Sequence, residues 1–147
     1  MIARNLKETD PFNVLLADDD SDDCYFFKEA LKEFPQPTNL VVVNDGEQLM
    51  QLLNEVNELP GVLFLDLNMP RMNGVQFLTQ IKKNRKLSVV PTIIYTTSGR
   101  PEDREETQRL GAAHFLTKGA SFKNICEAIS FIVDNKWKMQ DSSLRSN

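Results

Sequence analysis

Apolar runs alternate along the chain with segments in which hydrophobic residues recur at helical spacing. The runs at 14–17, 40–43, 62–65, 92–95 and 113–117 are short and rich in Val, Ile, Leu and Phe, which predicts five strands. Behind the first, Asp20 or Ser21 caps a helix whose apolar face is Cys24, Phe27, Leu31 and Phe34, ended by Pro35 and Pro37. Behind the second, Asn44 or Asp45 caps a helix that turns Leu49, Leu52, Leu53 and Val56 inward and closes at Pro60-Gly61. A loop at 67–74 leads to a third helix with Val75, Leu78 and Ile81 on one stripe. Pro91 starts the fourth strand. Pro101, followed by Glu102 and Asp103, opens a fourth helix that stops near Gly111. The fifth helix runs from about Ser121 to about Trp137 on Phe122, Ile125, Ile129, Ile132 and Val133.

Strands that are apolar on both faces and alternate with helices predict an α/β fold with a parallel sheet covered on each side. Right-handed crossovers then favour a doubly wound five-stranded sheet with five helices, in the order 2-1-3-4-5. That order makes strands one and three neighbours. Asp18 and Asp19 follow the first run, Asp66 the third, Thr96 the fourth, and Lys118 the fifth. In an open parallel sheet the carboxyl ends of the strands form one crevice, so these residues converge although a hundred positions separate them. Three carboxylates, a hydroxyl and an amine in one crevice suit a divalent metal and a phosphoryl group.

Composition narrows the partners. The 147 residues suffice for about one domain. A net charge of −4 and the lack of a basic run argue against nucleic acid or an anionic membrane as the main ligand. The acids bunch instead at Asp18, Asp19, Asp20, Asp22 and Asp23, where a hydrophobic strand ends. The chain contains no apolar stretch of bilayer-spanning length and its start lacks a signal-peptide core, so a cytoplasmic protein is expected. Cys24 and Cys126 lack metal-ligand spacing and are expected to be thiols that fill space in the core. The lone His114 reads as a surface residue.

The residues Leu-Leu-Ala-Asp18-Asp19-Asp20, Leu-Asp66-Leu-Asn68-Met69-Pro70-Arg71-Met72-Asn73-Gly74, Ile-Ile-Tyr-Thr96-Thr97-Ser98 and Phe115-Leu116-Thr117-Lys118, in that order, resemble the receiver domain of two-component response regulators. The resemblance spans about Asn13 to Trp137. It implies a flavodoxin-like receiver fold, with an N-terminal extension at 1–12, the domain at 13–138 and a flexible tail at 139–147. By resemblance Asp66 is the phosphoacceptor. Asp19, Asp66 and the backbone carbonyl of Asn68 would bind Mg²⁺ with help from Asp18 through water. Thr96 and Lys118 would contact the phosphoryl oxygens, and Phe115 would occupy the aromatic switch position. The implied partners are a sensor histidine kinase or histidine phosphotransfer protein and a downstream protein target. The face formed by the fourth helix, fifth strand and fifth helix, including Glu105, Arg109 and Lys123, is expected to mediate a homodimer or a kinase or target contact that phosphorylation strengthens.

Magnesium prefers hard oxygen ligands, and it relieves the repulsion among clustered carboxylates while leaving one ionised for attack on phosphorus. One departure from the family pattern is Gly119, where most receivers carry proline. A trans Lys118–Gly119 bond avoids the roughly 2.5–4 kcal/mol of a cis non-proline peptide, so a trans turn with Lys118 still aimed at the acids is expected. Within the family, Thr96-Thr97-Ser98, the missing proline and Trp137 resemble stand-alone regulators of phytochrome-like and hybrid histidine kinases. Two alternatives remain. Asp18-x-Asp20-Ser21 imitates the nucleophile motif of haloacid-dehalogenase-like phosphatases, but Gly119-Ala120-Ser121 stands where they need an acidic pair. The other is a receiver-shaped binding module that is never phosphorylated.

Overall fold

The computed structural model describes the backbone of residues 10–145 and the side chains of 10–134. Five strands, β1 (Phe12–Ala17), β2 (Thr38–Val43), β3 (Val62–Leu65), β4 (Thr92–Thr96) and β5 (His114–Thr117), alternate with α1 (Ser21–Leu31), α2 (Gly46–Glu55), α3 (Gly74–Lys82), α4 (Pro101–Arg109) and α5 (Phe122–Arg145). All pairs are parallel and the sheet order is β2-β1-β3-β4-β5, the doubly wound arrangement that the sequence predicts.

Successive strand residues point to opposite faces, and both faces are apolar. Val14, Leu16, Phe64, Ile93 and Tyr95 join Phe27 of α1 and Ile125, Ala128 and Ile129 of α5 in one core. Leu15, Ala17, Leu63, Leu65 and Ile94 face Leu49 and Leu53 of α2 and Phe77, Leu78 and Ile81 of α3 in the other. Phe27 anchors the first layer, with its ring 4.7 Å from Phe64 in an edge-on arrangement and 5.7 Å from Tyr95. The helix starts obey simple chemistry. Asp20, Asp45 and Asn73 each accept a hydrogen bond from the amide three residues on, and Asn73 forms a full capping box with Gln76.

Several expectations need correction. On α3 the buried stripe is Phe77, Leu78 and Ile81, while Val75 is only half-buried, because the crossing over the sheet favours the larger ring. The outer strand β2 pairs with β1 alone, and Val41 and Val42 are exposed, so the expectation of burial on both faces fails at this sheet edge. A short 3₁₀ turn at Leu87–Val89, absent from the sequence reading, buries Leu87 ahead of β4. The strand β1 begins at Phe12, within the segment assigned to the extension; residues 1–9 lie outside the described residues. The helix α5 continues to Arg145 rather than ending near Trp137, since no proline or glycine interrupts 138–145. Cys24 and Cys126 are free thiols, half-buried at the edge of the first core, and His114 is exposed.

Replacing Phe27 with alanine leaves a cavity beside its two aromatic neighbours, Phe64 and Tyr95, and is expected to cost about 3–5 kcal/mol. Val89→Ala, on a side chain 68% exposed, should stay within about 0.5 kcal/mol. Urea denaturation of both variants tests the assignment of the core; equal midpoints would contradict it.

Candidate functional site

The hydrogen-bond ladder of the sheet extends past its own strand ends and fixes the site residues side by side. The amide of Asp18 donates to Val43 O at 3.0 Å, that of Asp66 to Ala17 O at 3.0 Å, and that of Lys118 to Thr96 O at 2.7 Å. The five strand-end residues therefore meet at the carboxyl edge of the sheet, as the winding predicts. One carboxylate oxygen from each of Asp18, Asp19 and Asp66 lies within 4.8 Å of the others. Asp18 and Asp66 are buried and Asp19 is exposed, so the cluster is a crevice with one open side.

The carboxylates are held by the turns that follow them. Asp18 Oδ1 accepts from the amide of Asp20 at 2.9 Å, and Asp66 Oδ1 accepts from the amide of Asn68 at 3.1 Å. Each acid therefore keeps its second oxygen for the crevice. Gly74 closes the loop behind Asp66. A Cβ there would stand 2.7 Å from the carbonyl oxygen of Asp66 and 2.8 Å from Leu67 Cα, so only glycine permits this approach.

Into the crevice Lys118 brings one ammonium. Its Nζ lies 2.7 Å from Asp23 Oδ2, 2.8 Å from Asp18 Oδ2 and 3.1 Å from Asp66 Oδ2. The Asp18 contact is an ion pair set off the angle of a proper hydrogen bond. The lysine side chain is 8% exposed. Burial alone would lower its pKa, but the close carboxylates of Asp18, Asp23 and Asp66 outweigh that and hold it above the ordinary lysine value. Burial pushes Asp18 up, against the opposing pull of Lys118. The Lys118–Gly119 bond is trans, as no cis peptide occurs among the described residues, and Gly119 takes φ of 101°, a left-handed turn open to glycine.

Thr96 ends β4 fully buried, and its Oγ1 makes no hydrogen bond among the described residues. Asn68 is exposed two residues beyond Asp66. Phe115, half-buried on β5, is covered by the guanidinium of Arg104, 4.5 Å from its ring centroid. Glu105, Arg109 and Lys123 are exposed. Of the acid run, Asp20 caps α1 and so is committed to a structural bond, while Asp23 turns inward to Lys118. Asp23 is the site residue that the sequence reading missed. Its signal was its place in the first turn of the helix that follows β1, but spacing alone does not say which way that turn faces.

Three hard oxygen donors within 4.8 Å of one another, two of them also facing one ammonium, fit a hard divalent cation. The residues that would hold it are Asp18, Asp19 and Asp66.

A doubly wound sheet with this crevice at its carboxyl edge defines a phosphorylation-type signalling module, and the comparisons agree. The model of the response regulator receiver domain family matches residues 14–130, and the chain belongs to that family. It is therefore a receiver domain of two-component signal transduction. Response regulator Rcp1 of Synechocystis is 29% identical over 127 residues, covering 83% of this chain and 86% of the relative. The transcriptional regulatory protein CpxR of Escherichia coli is 30% identical over 131 residues, covering 88% of this chain and 53% of CpxR. Among solved structures, the Mn(2+)-bound form of Rcp1 superposes with a TM-score of 0.71 at 28% identity, covering 83% of this chain and 91% of that one. The phosphorylated cyanobacterial phytochrome response regulator RcpA superposes with a TM-score of 0.73 at 26% identity, with the same coverage. Neither the phosphatase nor the unphosphorylated binding module is favoured. Among the described residues no helix is long and apolar enough to cross a membrane.

A lysine whose folded pKa is raised stabilises the fold fully below its unfolded value of about 10.4, and loses that contribution only as pH climbs through the folded value. At pH 7, Lys118→Met should therefore remove about 3 kcal/mol in the presence of a chelator, by leaving buried carboxylates unpaired. The loss should be smaller at pH 4.5, closer to the range where Asp18, whose carboxyl is pushed up by burial, takes up a proton and no longer needs the ammonium. Thermal melts of wild type and variant at the two pH values measure the difference; a gap independent of pH would show that the ammonium does not neutralise this cluster.

Proposed function

We propose that the chain accepts a phosphoryl group on Asp66 from a histidine kinase or histidine phosphotransfer protein, with Mg²⁺ held by Asp18, Asp19, Asp66 and the backbone carbonyl of Asn68. The observation that supports this reading is the convergence of Asp66, Lys118 and the unpartnered hydroxyl of Thr96 at one strand edge. Bound Mg²⁺ supplies the positive charge that lets crowded carboxylates stay ionised together. Asp66 then attacks phosphorus in line, Lys118 bonds the phosphoryl oxygens, and the Thr96 hydroxyl donates a hydrogen bond to one of them. Such a transfer needs little beyond positioning and charge stabilisation. Water reaching the same crevice from the open Asp19 side would reverse the modification, giving the protein its own dephosphorylation. A histidine kinase or phosphotransfer protein as donor supports a cytoplasmic location.

Acetyl phosphate with Mg²⁺ should add one labile acyl phosphate to the wild type, and none to Asp66→Asn, whose melting temperature should remain native-like. Added Mg²⁺ should raise the melting temperature of the wild type, by the linkage between binding and folding, and Asp19→Ala should abolish that response. Stoichiometric labelling of Asp66→Asn, or an unaltered Mg²⁺ response in Asp19→Ala, would sink the respective assignment.

Signal output runs through the face formed by α4, β5 and the start of α5. Phe115 connects this face to the crevice, since β5 pairs with β4 and Thr96 with Thr117. Occupation of the Thr96 hydroxyl biases the position of the Phe115 ring and hence of Arg104 above it, a two-state surface for a homodimer or a protein target. Exposed Glu105, Arg109 and Lys123 supply its charged rim. Phosphorylated protein should associate more strongly than unphosphorylated protein in light scattering, and reversing charge at Arg109 should weaken that gain. Equal association in both states would count against this face.

A further inference from the structure

The shortest contact of Lys118 is with a residue outside the metal cluster. Asp23 Oδ2 stands 2.7 Å from Nζ, yet Asp23 is not among the carboxylates gathered at the cation position, which are those of Asp18, Asp19 and Asp66. It also differs from the other two partners of the ammonium in exposure, its side chain being 31% accessible against 0% for Asp18 and 6% for Asp66. Asp23 is fixed from behind. It lies in the first turn of α1, and its amide donates to the capping carboxylate of Asp20 at 2.9 Å. The partial positive charge of the helix N-terminus suits an acidic side chain there.

At rest both carboxylate oxygens of Asp66 have a partner: its Oδ1 accepts from the amide of Asn68, and its Oδ2 faces the ammonium at 3.1 Å, where an arriving phosphoryl group competes for Lys118. Lys118 has to leave Asp66 without leaving the crevice. A lysine ammonium on a flexible four-carbon stem has no preferred place of its own, and three donors let it keep one partner while exchanging another.

We propose that Asp23 is a positioning residue for phosphoryl transfer, tethering the Lys118 ammonium so that it swings from Asp66 to the incoming phosphoryl oxygens. The proposal rests on the reading of Asp66 as acceptor. With acetyl phosphate as donor, a bond forms between an Asp66 carboxylate oxygen and phosphorus while the bond from phosphorus to the acetyl oxygen breaks. Acetate departs with the electron pair, and no proton changes hands. The phosphoryl oxygens replace the Asp66 carboxylate as the negative partner of Lys118, and Asp23 remains its partner before and after.

The test uses the full chain and Asp23→Ala, Asp23→Asn and Asp23→Glu, with Asp22→Ala as a control that removes the same charge one residue away. Initial rates of labelling by acetyl phosphate and Mg²⁺ are followed by intact-mass spectrometry. Asp23→Ala and Asp23→Asn should label about tenfold more slowly, the cost of a displaced catalytic group. Asp23→Glu should recover most of the rate and Asp22→Ala all of it. The Mg²⁺-induced rise in melting temperature should be unchanged in every variant, which a metal ligand or a folding defect would not allow. Labelling of Asp23→Ala and Asp23→Asn at the wild-type rate would overturn the proposal alone, as would equal slowing by Asp22→Ala or loss of the Mg²⁺ response in Asp23→Ala. A wild type that takes no label would overturn the acceptor reading, and the tether with it.

Discussion

Lys118 sets one ammonium within 3.1 Å of Asp18, Asp23 and Asp66, and the packing of the strand ends depends on that charge. Two of those carboxylates are buried, and water cannot stabilise them there. Without a cation the adjoining ends of β1 and β3 would bring like charges together in a low-dielectric crevice, a cost that grows as the groups are desolvated. The ammonium offsets part of it. Asp18 still resists ionisation because burial outweighs the pull of Lys118, so the resting crevice remains short of positive charge. A site in that condition attracts cations, and affinity for a divalent ion follows from the fold itself.

The same constraint explains why the surrounding backbone is arranged as it is. Asp18 and Asp66 each spend one oxygen on an amide two residues ahead, which fixes the carboxylate planes before any ligand arrives. Preorganisation of this kind removes reorganisation from the reaction step. Gly74 allows α3 to begin directly behind Asp66, and the capping box of Asn73 and Gln76 holds that helix start in place. The left-handed turn at Gly119 returns the chain toward α5 immediately after Lys118, with nothing packed against it. Rigid support therefore lies beneath the acids, whereas the lysine side approaches over a freer turn.

Much of the fold was legible because parallel strands buried on both faces read as uninterrupted apolar runs, and their punctuation by Asp20, Asp45 and Pro101 gave three of the helix starts. The strand-end positions of Asp18, Asp19, Asp66, Thr96 and Lys118 followed from the winding rule, which converts linear order into neighbourhood. What escaped was whatever depends on rotation or depth. Periodicity alone could not choose between Val75 and Phe77, which flank the Leu78 and Ile81 stripe of α3 on opposite sides, and the structure buries Phe77. Val41 and Val42 look like core residues in sequence, yet their strand ends the sheet. Asp23 was hidden within an acid run whose members have three different employments: cluster, cap and ion pair.

The placement of Thr96 ties the crevice to the surface. Its backbone carbonyl accepts from the amide of Lys118, while its hydroxyl is buried without a hydrogen bond among the described residues. A buried, unsatisfied hydroxyl costs on the order of 1–3 kcal/mol, and a native structure keeps such a cost where a partner arrives in another state. β5 carries Lys118 just past one end and Phe115 within it, so the ladder that positions the ammonium also positions the ring beneath Arg104. Under the proposed function, a change of bonding at Thr96 would be felt along β5 through the hydrogen bonds that pair it with β4. Coupling between the acidic crevice and the α4 side of the molecule needs no further element than this shared strand.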